Sequence, residues 1–258
     1  MPNLEIIKEI RMATGAGIVD IKKALEKSNN DIKEAIENLR KSGSKIAAKK
    51  LERSTNEGVI SYFKDGNKIA IVGLSCETDF VSRNKDFIKA VNDYAKKLLI
   101  IGKEDFKDFA EKNIKDELIV KIGENIQLNI FDIFEGNIIG FYIHSNNRLA
   151  SIIILDGGNK ELAKDIAMHV TAMAPKYLSY EDIPNEIIEK EKEIYNEQLI
   201  KEGKSKDIIK KIIEGKIVKF YTEVCLIKQN FVKDDKKTIE KLLEENNAVI
   251  KEYKYFSL

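Results

Sequence analysis

The sequence predicts an α+β fold, with a small helical N-terminal domain ahead of a duplicated core of antiparallel sheet plus helix. Three observations carry that expectation. The hydrophobic period is helical through the first fifty or so residues and switches to two at Gly58. A strand–turn–strand–loop–helix pattern that opens at Glu57-Gly58 reopens at Glu135-Gly136, 78 positions later. The stretch from Asn185 to Phe220 is charged, nearly free of β-rich runs, and seamed with isoleucine at helical spacing. The chain is thereby divided into residues 1–54 (three helices and a helical linker), 55–134 (first core subdomain) and 135–258 (second core subdomain). Residues 185–222 are inserted in the last as an antiparallel helical hairpin.

Each element has its own reason. Leu4, Ile7 and Ile10 share a helical face before Gly15-Ala16-Gly17 interrupts the chain. Ile18, Ile21, Ala24 and Leu25 make a second stripe, and Ile32, Ala35, Ile36 and Leu39 a third, with Asn30 or Asp31 placed to cap it. So small a bundle buries little area and is marginal unless it leans on a partner. Ser42 to Arg53, with Ile46, Ala47, Ala48 and Leu51 among lysines, reads as the linker. Val59–Phe63 and Lys68–Ser75 read as strands about the hairpin turn Lys64-Asp65-Gly66-Asn67. A helix over Asp86–Ile101 presents Phe87, Val91, Tyr94 and Leu98 on one face. Helical stretches near Lys103–Glu111 and Asn113–Lys121 and a strand over Ile126–Phe134 follow. The second copy repeats the plan with strands Ile138–His144 and Leu149–Leu155, the loop Asp156-Gly157-Gly158, and a helix over Lys160–Met173. In the hairpin, Ile187, Ile188, Ile194 and Leu199 form one seam and Ile208, Ile209, Ile212, Ile213 and Ile217 the other. A helix over Lys237–Asn246 and a strand over Val249–Phe256 close the chain, the strand returning to the second sheet.

Composition excludes several classes of function. Lys and Arg number 44 against 43 Asp and Glu, so there is no large field of the kind a nucleic-acid coat or an acidic tail would carry. Cys76 and Cys225 cannot build a disulfide framework, and no Cys-x-x-Cys pair offers a zinc or redox site. The polar start Met1-Pro2-Asn3-Leu4-Glu5 lacks the plan of a signal peptide. Apolar runs such as Ile152–Leu155 fall far short of the ~18 residues a membrane helix needs. A cytoplasmic protein with no cofactor, no metal and no membrane partner is the expectation.

Candidate chemistry is thin. Gly203-Lys204-Ser205 imitates the end of a phosphate loop, but Gln198 stands where the first glycine is needed, so a turn between helices fits better. Gly15-Ala16-Gly17 lacks a preceding strand and a third glycine. Cys76 with His144 and Asp79 could be imagined as a nucleophile and its helpers, yet Cys76 ends an apolar strand where a buried thiol is the commoner role. Neither His144 nor His169 has a second ligand at metal spacing, and His169 lies on a helix as a structural histidine. Lys45, Lys49, Lys50 and Arg53 could touch phosphates, but without interleaved aromatics they read as a solvated face. One segment stands apart: Glu77-Thr78-Asp79-Phe80-Val81-Ser82-Arg83-Asn84 fills the strand-to-helix loop of the first copy, where the second has a plain turn. An aromatic and a valine in a polar loop either fold back into the core or project to a partner, and the residues alone favour the core.

Thr78-Asp79-Phe80-Val81 resembles the characteristic motif of the elongation factor Ts family, nucleotide-exchange factors for elongation factor Tu. The likeness continues in order through the chain, from Arg11 with Thr14-Gly15-Ala16-Gly17 and Lys22–Leu25 to Lys121–Ile126, Ile166–Val170 and the tract Glu214–Phe220. The resemblance implies a ubiquitin-associated-like N-terminal domain and a coiled-coil hairpin that forms homodimers in some members. It implies that this is not an enzyme but a guanine-nucleotide exchange factor in translation elongation. In that role Asp79 and Phe80, with Thr78 and Val81, enter the GTPase domain of elongation factor Tu beside its Mg²⁺. It further implies that Arg11, Ile18 and Val19 touch that domain, and that Ile122, Gly123 and His144 belong to additional partner contacts. Ser145 and Asn230 depart from the family's usual glycine and proline, and a C-terminal helical module found in longer members is missing. The competing reading is an RNA- or ribosome-binding module built on the lysine-rich linker; the exchange-factor reading expects no direct nucleic-acid contact.

Overall fold

In the computed structural model the described residues are 4–258, excluding the side chains of Arg40 and residues 43–49. Lys45, Ile46, Ala47, Ala48 and Lys49 of the expected linker therefore lie outside the described side chains. The chain forms two units. One comprises the residues up to Glu135 with His144–Leu149 and Phe256–Leu258; the other is Gly136–Ile143 with Ala150–Tyr255.

The first unit begins with α1 (Leu4–Thr14), α2 (Ile18–Lys27) and α3 (Ile32–Lys50). These enclose their own small core of Ile7, Ile10, Ile21, Ala24, Leu25, Ala35 and Leu39, the residues whose spacing predicted the three stripes. Asp31 caps α3 by accepting the Glu34 N–H at 2.9 Å. The expected third helix and linker are one continuous helix to Lys50.

Strands β1 (Glu57–Asp65) and β2 (Lys68–Cys76) pair antiparallel, with Asp65 opposite Lys68, so the turn is Gly66-Asn67. Gly66 takes φ +57°, which a glycine adopts without steric cost. Strand β3 (Ile126–Glu135) completes the order β1-β2-β3. Between β2 and β3 lie a one-turn helix α4 (Asp79–Ser82), α5 (Lys85–Asn113), a π-helical turn (Ile114–Leu118) and α6 (Ile119–Ile122). The break expected after Ile101 is a kink at Gly102, with φ +81° and ψ 169°. Phe87, Val91, Leu98 and Phe106 of α5 pack on Ala70, Val72, Leu74 and Cys76 of β2.

In the second unit, β4 (Ile138–Ile143) pairs antiparallel with β5 (Leu149–Asp156), and β8 (Val249–Ser257) adds beside β5. Helix α7 (Lys160–Met173) covers this sheet so closely that a Cβ on Gly140 would stand 2.1 Å from the Ala163 carbonyl carbon. Leu162, Ala163, Ile166 and Val170 of α7 form the core with Ile153, Leu155, Leu226 and Ile250. The two sheets thus share one topology, as the duplicated pattern predicts.

The hairpin is α8 (Asn185–Lys201) and α9 (Lys206–Val224). Its expected seams are narrower than drawn from spacing. Leu199, Ile209 and Ile217 are buried, while Ile187, Ile194 and Ile208 are exposed, because two helices alone can cover only one face of each other. A short hairpin of β6 (Asn230–Phe231) and β7 (Asp234–Thr238), absent from the sequence expectation, precedes α10 (Ile239–Glu245).

One assignment needs correcting. The β4–β5 turn, with His144, was expected in the second core subdomain, but residues 144–149 belong to the first unit. The Ile60 N–H donates to the Asn147 carbonyl at 2.7 Å, and the Arg148 guanidinium reaches both Glu57 (3.4 Å) and the Leu258 carbonyl (3.0 Å).

Candidate functional site

The segment that follows β2 is built to hold one side chain outward. Thr78 is in extended conformation and starts α4; its hydroxyl accepts weakly from the Val81 N–H at 3.4 Å. At the other end, Asn84 caps α5 by accepting from the Asp86 and Phe87 N–H groups, and Phe87 is fully buried. Between these anchors Val81 turns inward against the first core, while Phe80 is 83% exposed. The core, which the residues alone favour, is right for Val81 and wrong for Phe80, whose ring finds no room beside Val81 and stays outside. Asp79 is half-buried and pairs with Arg83 one turn on at 3.3 Å.

A second loop locks the first. The Glu124 carboxylate accepts three hydrogen bonds: from the Glu77 and Thr78 N–H groups at 3.0 Å each, and from the Thr78 hydroxyl at 2.6 Å. In return Glu77 accepts the Asn125 N–H at 2.6 Å and lies 3.5 Å from Arg53. Asn125, fully buried, donates its amide to the Leu51 and Arg53 carbonyls. The loop can reach this position because α6 stops at Gly123, whose φ of +91° makes it a left-handed cap.

The structure therefore joins the Thr78–Val81 turn to the loop of Ile122 and Gly123. Ile122 packs against the first core, and the Gly123 carbonyl accepts a hydrogen bond from Lys50 at the end of α3. The N-terminal helices abut the same stretch: a Cβ on Gly15 would lie 2.6 Å from the Lys121 Cα. Ile18 (47% exposed) and Val19 (64%) stand outward at the start of α2, and Arg11 is exposed near the end of α1. His144 is exposed on the separate β4–β5 turn.

The sequence set Glu77 apart only as the first residue of the unusual loop, and it assigned no role to Glu77, Glu124 or Asn125. Glu124 and Asn125 lie within the stretch Lys121–Ile126, but nothing in their spacing points to partners some 46 residues away.

The imagined nucleophile is not one. Cys76 is buried and donates to the Thr78 carbonyl at 3.3 Å, and burial, helped by the Glu124 charge, pushes its thiol up to about 12. It is a protonated thiol at neutral pH. His169 is also fully buried: its Nε2 meets the Gln229 Oε1 at 3.0 Å and its Nδ1 accepts the Val232 N–H at 3.3 Å. Among the described residues no group of three His, Cys, Asp or Glu side chains could hold a metal ion, and no helix is long and apolar enough to cross a membrane.

Comparison with known proteins covers nearly the whole chain. The family profile described as "Elongation factor TS" matches residues 77–258. The chain is 41% identical to Elongation factor Ts of Halothermothrix orenii, across 99% of this chain and 92% of that protein. It is 41% identical to the protein of the same name from Hydrogenobaculum sp., across 98% and 97%. The one from Deinococcus deserti is 38% identical across 99% of both.

Proposed function

Because the chain belongs to the elongation factor Ts family, and is thereby a translation elongation factor, we propose that it is a guanine-nucleotide exchange factor for elongation factor Tu. It binds the GDP complex of that GTPase, dislodges Mg²⁺ and lets GDP leave. The observation that carries this reading is the exposure of Phe80 at the tip of a turn fixed at both ends.

An exposed phenylalanine gains free energy only when something covers it, and full burial of such a side chain is worth about 1.5–3 kcal/mol. On a floppy loop, part of that gain would be lost to ordering; here the turn is ordered beforehand. Phe80 enters the partner's GTPase domain as an apolar wedge, with Asp79 beside it, and separates elements whose packing places the metal-binding groups. Without Mg²⁺ the nucleotide phosphates lose their main screening charge and affinity falls. Arg11, Ile18 and Val19 supply a second contact to the same domain, and Ile122, Gly123 and His144 further ones. This protein makes and breaks no bond, so its effect on nucleotide affinity must be matched by the nucleotide's effect on its own affinity. GTP binding therefore releases the factor and completes the cycle.

Stopped-flow release of fluorescent GDP from elongation factor Tu tests the proposal. The wild-type protein accelerates release, and Phe80→Ala lowers that acceleration by about 10- to 100-fold, the equivalent of losing the ring's burial. A folded Phe80→Ala protein that releases GDP at the wild-type rate overturns the wedge.

A further inference from the structure

We infer that Glu124 is the positioning residue for the Phe80 wedge, a role that rests on the exchange reading above. Its carboxylate touches nothing reactive. It gathers the Glu77 N–H, the Thr78 N–H and the Thr78 hydroxyl onto two oxygens, at 3.0, 3.0 and 2.6 Å. These are hydrogen bonds to a charged acceptor, the strong kind, and they close on the two residues that set the entry into α4. The cap within α4 itself is weak: Thr78 to Val81 is 3.4 Å, and a helix of four residues has little cooperativity of its own. The conformation that presents Phe80 is thus imposed from outside the turn, by a side chain on the loop before β3.

Two features make the clamp specific. Glu77 returns the favour by accepting the Asn125 N–H at 2.6 Å, so the two loops hold each other by exchanged carboxylates. Asn125 ties the same point to the Leu51 and Arg53 carbonyls, which follow α3. Removing the Glu124 side chain leaves two half-buried backbone N–H groups and a hydroxyl without their acceptor. The turn then samples conformations in which Phe80 no longer points at the partner, and each encounter must pay to restore it.

The test combines amide exchange with kinetics. In Glu124→Ala, hydrogen exchange at residues 77–82 rises at least about tenfold relative to wild type while β1 and β2 stay protected. Unchanged protection at 77–82 overturns the inference. In stopped-flow GDP release, Glu124→Ala lowers the acceleration roughly tenfold, and Glu124→Gln, whose amide oxygen can still accept the two N–H groups while its NH2 donates to the Thr78 hydroxyl oxygen, recovers part of it. The double variant Glu124→Ala/Phe80→Ala is no worse than Phe80→Ala alone, because Glu124 acts through the ring. Additive losses overturn that coupling. Should Glu124→Ala fail to fold, Thr78→Val removes only the hydroxyl and gives a smaller loss with the same non-additivity; full additivity there overturns the inference equally. A wild-type rate for Phe80→Ala defeats the wedge reading instead, while the hydrogen-exchange protection of residues 77–82 still decides whether Glu124 orders the turn.

Discussion

The two units solve one connection in opposite ways. In each, the second strand of a three-stranded sheet must pass into the helix that covers it. In the second unit the passage is Asp156-Gly157-Gly158-Asn159, with φ of +80° and +71° at the glycines and Gly157 pressed on the Asn247 carbonyl. Asn159 then caps α7 by accepting the Leu162 N–H at 2.9 Å. In the first unit the same passage takes Glu77 to Asn84, no residue of it has a positive φ, and an extra helical turn is spliced in. The second connection uses its residues to close against its own unit. The first borrows its closure from Glu124 and leaves Phe80 outside. The duplicated pattern thus has two equivalent corners, and the exposed Phe80 sits at the one that gave up tight packing.

That contrast predicts different consequences for substitutions at the two corners. The largest effect on stability belongs to Gly157→Ala. A Cβ there would lie 2.1 Å from the Asn247 carbonyl oxygen, in a backbone conformation that L side chains rarely adopt. Unfolding in urea should show a loss of about 3 kcal/mol. A loss below 1 kcal/mol would mean that this corner is as loose as the other, and the comparison would break.

A second difference is how the units respond to acid. The buried His169 of the second unit accepts the Val232 N–H on Nδ1, so its proton sits on Nε2, facing Gln229 Oε1. Burial lowers its pKa from the ordinary 6.5, against a smaller opposing effect of the Gln229 hydrogen bond. The unfolded chain therefore binds a proton that the folded chain refuses. The stability at stake is intact above pH 6.5 and is lost progressively as pH falls below it toward the lowered value. Urea midpoints measured between pH 7.5 and 5.5 should fall in the wild type and stay flatter in His169→Gln. Cys76, the buried thiol beside the first corner, is neutral throughout that range and adds no slope.

How much of this was legible follows the range of the interactions. Local signals sufficed for the span of α7 and narrowed the β1–β2 turn to Lys64–Asn67 and the α3 cap to Asn30 or Asp31, each set by residues a few positions apart. The charged strand Asp234–Thr238 has no alternation to announce it and exists because Asn230 and Phe231 pair with it. That pairing delays the last helix to Ile239, with Thr238 rather than an earlier residue as cap. The site divides in the same way. Phe80 stood out as an aromatic in a polar loop, whereas Val81 beside it turned into the core and Glu124, which holds the turn, came from a distant loop. Sequence spacing shows which residues are unusual; it does not show what holds them.

Smaller effects sharpen the contrast. Asn159→Ala removes a 2.9 Å cap and should cost about 1 kcal/mol in urea unfolding with no change in the GDP-release assay. A change in release without that cost would assign the second corner a share of the function.

The smallest expected change in stability is that of Phe80→Ala, and it decides the most. A ring that is 83% exposed in the folded chain is nearly as exposed as it would be in the unfolded one. Truncating it removes little burial, and alanine suits the α4 turn slightly better than phenylalanine does. The urea midpoint should therefore move by no more than the equivalent of about 0.5 kcal/mol, the usual range for a surface change. Paired with a large fall in GDP release, that neutrality would show that the first corner keeps Phe80 for its partner alone. A loss above 1 kcal/mol would give the ring a structural role in its own unit, and the two corners would then differ in shape but not in purpose.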